Sequence, residues 1–78
     1  MNSNQLGLRL VQLRTEAGLT QRALAVRADV PIVTISELER GLNDNPKLKT
    51  LAALAGALGC TVADLLDEPA NGPKVAAG

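Results

Sequence analysis

The sequence predicts an all-α domain built from five short helices, and three observations lead there. Hydrophobic residues make up 46% of the 78-residue chain while Phe, Trp and Tyr are absent. The core must therefore be packed from Leu, Ile, Val and Ala, and Leu and Ala favour helices where strands favour aromatic and β-branched residues. Leucines recur at spacings of three and four residues, the mark of a helical face. Gly18, Gly41 and Gly59 stand where the apolar runs stop, as residues that close helices in the left-handed conformation do. A chain this short buries only about 60 to 65% of its unfolded surface and cannot divide that into two cores.

The first helix is carried by Leu6, Leu10 and Leu13 with Arg9, Gln12 and Glu16 between them, and it ends at Gly18. Thr20 caps a second, short helix that runs to about Ala28 before a turn at Asp29. Pro31 fits the first turn of a third helix, where its missing N–H costs nothing, and Gly41 closes that helix. The polar loop "LNDNP" separates it from a fourth helix, whose apolar stripe is Leu48, Leu51, Leu54, Ala55 and Leu58. Thr61 and Asp64 are spaced as a capping box for a fifth helix that would bury Val62, Leu65 and Leu66. Residues 1–68 are thus expected to form the domain, and residues 69–78, rich in Gly, Ala and Pro, a flexible tail.

Eight basic residues are balanced by eight acidic ones, and the isoelectric point is about 6.1, so no global field draws the protein to nucleic acid or to an anionic membrane. Any such attraction must be local. The single cysteine, Cys60, cannot close an internal disulfide, and its apolar context reads as a small buried hydrophobe. The absence of His excludes a Cys/His metal site. The first residues show no secretion signal and no apolar run approaches the roughly 18 residues that span a bilayer, so the cytoplasm is the expected location and no membrane partner is expected. Neither a nucleophile with its base nor a phosphate loop is present, which leaves nothing in favour of an enzyme or of a cofactor.

The second and third helices meet the requirements of a unit that can place a helix about 10 to 12 Å across into a major groove about 12 Å wide. Ala25 is the small residue at their crossing, Leu24, Ala28, Val30, Ile35 and Leu38 face inward, and Asp29 supplies a turn residue that accepts positive φ. With these residues in view, "LRLVQLRTEAGLTQRALAVRADVPIVTISELERG" followed by "LKTLAALAGALGCTVADLL" resembles the Cro and phage-repressor type of helix-turn-helix domain, the XRE family. The likeness covers roughly residues 5 to 67. Its motifs are "LR" before the "GLTQ" start, the "LA" pair, "TI" followed by "ERG", and the "AGALG" end of the fourth helix.

That resemblance implies a compact five-helix, lambda-repressor-like domain that binds double-stranded operator DNA as a homodimer, with the helix around residues 31 to 40 in the major groove. Family positions that reach base edges fall on Ile32, Val33, Thr34 and Glu37. Positions that hold phosphates fall on Gln21 at the start of the second helix and on Asn43, Asn45 and Lys47 in the loop after the third. Arg22 and Arg40 are added as nearby cations, although these two, Lys47 and Lys49 are all equally readable as ordinary surface charges. Arg14 and Glu39 match a structural salt bridge tying the first helix to the third.

Two features depart from the family pattern: the Ile32–Val33 pair, and Pro31, which stands where relatives often have a capping Ser or Thr. Ile32 and Val33 stand where relatives usually carry hydrogen-bonding side chains, and apolar groups can read only the thymine methyl or exclude water. Glu37 could accept from a cytosine amino group but also brings a negative charge towards phosphates. Over residues 20–49 five cations face four carboxylates, an excess of one, which is small for a DNA binder. The expectation is therefore a small repressor or regulator without a ligand-binding domain. The competing expectation is a protein-interaction module, antitoxin-like or otherwise partner-binding, that keeps the fold with a weakened DNA face. Leu42 and exposed apolar residues of the fifth helix are the candidates for a dimer seam.

Overall fold

The computed structural model describes residues 3–43 and 45–67, and the side chains from residue 5 onward within them. The expected flexible tail and Asp44, one of the four counted carboxylates, lie outside the described residues. Five helices follow one another: α1 (Ser3–Glu16), α2 (Gln21–Ala28), α3 (Ile32–Glu39), α4 (Leu48–Leu58) and α5 (Val62–Leu65), with no strand among the described residues. None of these helices is long and apolar enough to cross a membrane.

The stops are those of a helical protein that closes its ends with left-handed residues. Gly18, Gly41 and Gly59 each take φ 73°, and Asp29 at φ 57° is the one described non-glycine residue with positive φ. Among the described residues, side-chain caps form at two starts. The Thr20 hydroxyl accepts from the Ala23 amide at 3.0 Å, and Thr61 with Asp64 makes a complete capping box at the head of α5. Pro31 differs from its expected place. It is the N-cap of α3 rather than a first-turn residue, with an extended backbone and no side-chain cap bond. Its carbonyl starts the helix by accepting from Thr34 N at 3.0 Å and Ile35 N at 3.4 Å.

One apolar core joins all five helices. Leu6 and Leu10 of α1, Leu24 and Ala25 of α2, Ile35 and Leu38 of α3, Leu51 and Leu54 of α4 and Leu65 of α5 are buried together. Each such leucine removed from water contributes about 1.5 to 3 kcal/mol, and those increments offset the entropy of ordering so short a chain. Two leucines depart from expectation. Leu48 is the first residue of α4 and is exposed, because the helix reaches its neighbours only a turn later at Leu51. Leu66 caps α5 beyond its last turn and is also exposed.

The helices are tied at three further points. α1 crosses the C-terminal end of α3 at Gly7, where an added Cβ would lie 2.5 Å from the carbonyl oxygen of Leu38 and 2.7 Å from that of Glu39. Only a residue without a Cβ fits so close a crossing. Arg9 donates from Nε to the Asp64 carbonyl of α5 at 2.8 Å and from Nη1 to Gln12 Oε1 at 2.8 Å. Arg14 pairs with Glu39, Nε to Oε2 at 2.6 Å and Nη2 to Oε1 at 3.1 Å. Its third donor, Nη1, reaches the Leu19 carbonyl at 2.8 Å.

Candidate nucleic-acid interface

The turn between α2 and α3 sets how far α3 stands from the body. Asp29 takes the left-handed conformation at φ 57°, ψ 49°, and its amide donates to the Val26 carbonyl at 3.3 Å. The Val30 amide reaches back to the Ala25 carbonyl at 3.0 Å, so the chain reverses tightly and Pro31 starts α3 at once. Ala25 is 7% exposed at the crossing, and Ile35 and Leu38 anchor the inner side of α3. A larger side chain at position 25 would force the two helices apart.

The outer side of α3 is left to solvent. Ile32 is 41% exposed, Val33 58% and Val26 of the neighbouring helix 78%. Glu37 is exposed and Thr34 half-buried. An open groove runs between α2 and the tip of α3, lined by Arg22, Val26, Asp29, Pro31 and Ile32 among others. The four side chains expected to face bases thus lie on one helix, but they form a front that is apolar at its tip and carboxylate further along.

Around this front lie groups able to hold an anion. The first donors of a helix have no intrahelical acceptor, and at α2 the Thr20 hydroxyl satisfies only Ala23. Gln21 and Arg22 occupy the two positions before it. Gln21 is half-buried and already engaged, donating from Nε2 to Glu39 Oε1 at 2.8 Å. Arg22, Arg40, Lys47 and Lys49 are exposed. A second open groove brings Thr34 together with Lys47, Lys49 and Thr50, between the turn and the start of α4. Lys47 is the N-cap of α4 and makes no side-chain cap bond, so it leaves the first donors of that helix without an acceptor from the cap residue.

Arg40, Asn43 and Asn45 lie outside both grooves. Asn43 shapes its own loop, its Oδ1 accepting from the Asn45 amide at 3.1 Å. Two parts of the surface are not apparent from the chain alone. Thr50 and Lys49 join Thr34 across a gap of about fifteen residues that only the fold closes, and the Gln21–Glu39 bond links the first residue of α2 to the last of α3. The polar type of each residue was the only signal available for them. Cys60 is half-buried away from this front. Burial pushes its thiol above the ordinary value of 9.0, Asp64 adds to the rise and Arg9 opposes it.

Comparison with known proteins agrees with this geometry. The family described as helix-turn-helix matches residues 10–65. The HTH-type transcriptional regulator DdrOP3 of Deinococcus deserti is 46% identical over 59 residues, covering 76% of this chain and 45% of its own length. The immunity repressor protein of Bacillus phage phi105 is 40% identical over 63 residues, covering 81% and 43% respectively. The HTH-type transcriptional regulator SinR of Bacillus subtilis is 36% identical over 81% of this chain and 57% of its own. A crystal structure of SinR, the master regulator for biofilm formation, in complex with DNA superposes with a TM-score of 0.76 at 35% identity, covering 80% of this chain and 98% of the other. The chain spans about half the length of the curated relatives it matches.

Proposed function

The chain belongs to the helix-turn-helix family, and on that footing we propose that it is a sequence-specific DNA-binding transcriptional regulator, a cytoplasmic repressor that binds a two-fold symmetric operator as a homodimer with α3 in the major groove. The observation that carries this reading is the outward face of α3, left uncovered by the described residues and flanked by the starts of α2 and α4. In it, Ile32 and Val33 meet thymine methyls, Thr34 and Glu37 offer the hydrogen bonds, and Gln21, Arg22, Arg40, Asn43, Asn45 and Lys47 contact phosphates. Because the base-facing tip is apolar, phosphates supply most of the affinity and sequence discrimination is modest.

The test is binding of a fluorescent random duplex at low ionic strength, followed as salt is raised. A DNA binder loses affinity steeply, with log K falling by about 0.9 per log unit of salt for each phosphate neutralised. Selection from a random duplex pool should return a two-fold symmetric site with thymine under Ile32 and Val33, whereas guanine there would contradict the assignment. Sedimentation showing only monomer at about the concentrations of a typical weak dimer would remove the homodimer.

One observation favours a second reading. The exposed run of Val26, Ile32 and Val33 on a chain of zero net charge suits a protein partner better than a polyanion. Failure of the protein to retain any duplex at low salt would decide for that partner.

A further inference from the structure

Gln21 and Glu39 sit at opposite ends of the helix-turn-helix, eighteen residues apart, yet their side chains are bonded at 2.8 Å. The Glu39 side chain is only 5% exposed, and its two oxygens are shared between Arg14 and Gln21. Arg14 offsets the carboxylate charge, so the group that faces Gln21 acts as an oriented acceptor rather than as a free anion near a phosphate path. A glutamine amide carries two N–H donors, and Glu39 takes one of them. Held in this way, the Gln21 side chain has a fixed direction and keeps its second donor at the start of α2, where the unsatisfied main-chain donors of a helix already favour an anion.

Resting on the reading of this face as a DNA surface, we infer that Glu39 is a positioning residue: it presents Gln21 to a backbone phosphate and ties that contact to the placement of α3. An unheld glutamine must lose its side-chain rotamer freedom on binding, and here that freedom is removed by folding. The consequence is a coupling between two positions, one of which touches no DNA.

The experiment compares the wild type, Gln21→Ala, the paired replacement Arg14→Met with Glu39→Met, and the triple variant. Replacing both members of the ion pair by apolar side chains avoids leaving a charge unpaired, and such replacements commonly preserve the fold. Affinity for a random duplex at fixed low salt should fall about five-fold for Gln21→Ala, the worth of one net hydrogen bond. The Met pair should lose a similar factor, and adding Gln21→Ala to it should cost less than about two-fold, because the contact is already gone. The salt slope should stay parallel in all four, since the Arg14 charge removed with the pair is already cancelled by Glu39 and no cation assigned to a phosphate is lost.

Equal cost of Gln21→Ala in both backgrounds overturns the inference, as does wild-type affinity in Gln21→Ala. A wild type that binds no duplex overturns the functional proposal and this inference with it. The side-chain amide of Gln21, assigned in wild-type protein by its loss in Gln21→Ala, gives a readout that needs no change to the pair. One of its protons should be protected from exchange before DNA is added and the other should shift on addition; two equivalent protons, or no shift, count against Glu39 as the anchor.

Discussion

Gly7→Ala is the substitution whose outcome is most opposed to what helix propensity alone would suggest. Gly7 lies inside α1, where alanine is worth about 1 kcal/mol more than glycine. The added carbon, however, would stand 2.5 Å from the Leu38 oxygen and 2.7 Å from the Glu39 oxygen. Non-bonded carbon and carbonyl oxygen approach to about 3.3 Å at closest, so α1 would have to retreat by roughly 0.6 to 0.8 Å. Neither oxygen can swing aside, for both are main chain at the end of α3, and that of Leu38 also accepts from Gly41 N at 3.1 Å. Overpacking of this kind costs about 1 to 3 kcal/mol. The retreat also draws Arg14 away from Glu39, which places the cost at the upper end. Subtracting the propensity gain leaves a loss of about 2 kcal/mol, a fall in Tm of roughly 8 to 16 °C for a domain of this size.

Thermal and urea unfolding followed by circular dichroism would measure it, with Gly56→Ala as the control. At Gly56 an added carbon meets nothing within 4 Å, so there the propensity gain stands alone and stability should rise by about 1 kcal/mol. A Gly7→Ala protein as stable as the wild type would refute the crossing described for α1 and α3.

Asp29→Gly should raise stability by roughly 0.5 kcal/mol, because the left-handed conformation strains a residue with a Cβ while the freer unfolded glycine takes back part of the gain; a lower Tm would mean that the aspartate carboxylate matters to the turn. Thr61→Ala removes the hydroxyl of the capping box and should cost about 1 kcal/mol, visible as a reduced urea midpoint with unchanged slope. Lys47→Ala, if the lysine meets a phosphate, should weaken binding to all duplex sequences alike and reduce the salt slope by about 1, whereas an unchanged slope would return it to the ordinary surface. Cys60, whose thiol is raised above 9.0 by burial, carries less thiolate in the folded protein than in the unfolded one. Its stabilising contribution is therefore full below the unfolded value and declines as pH rises through the folded one, and alkylation at mildly alkaline pH should be slower in native than in denatured protein.

Much of the fold is readable from the chain because it depends on local chemistry. The three closing glycines, the Thr61–Asp64 box and the small residue at position 25 each follow from what a helix end or a close crossing requires. The exposure of Leu48 and Leu66 is not legible in the chain, because periodicity marks a face and cannot say where along a helix the neighbour begins. Gly7 looks like a helix defect until α3 is laid across it. Arg14 and Glu39 were paired through family resemblance, while the bond from Gln21 to that same carboxylate depends on side-chain rotamers at two distant helix ends, which no spacing rule encodes. At the outer face, residue types indicate an apolar tip on α3, and their exposure in the folded chain gives that tip an extent that reaches Val26 on α2.

The missing cap at Pro31 has an effect on that tip. Since Pro31 offers no side chain to close the start of α3, the amides of Ile32 and Val33, its first two residues, have no acceptor within the helix. The helix end is greasy in its side chains and hydrophilic in its main chain. Trimming Ile32 or Val33 would therefore pare away the oily contacts one by one and leave the two main-chain N–H groups in place, whatever residue stands there.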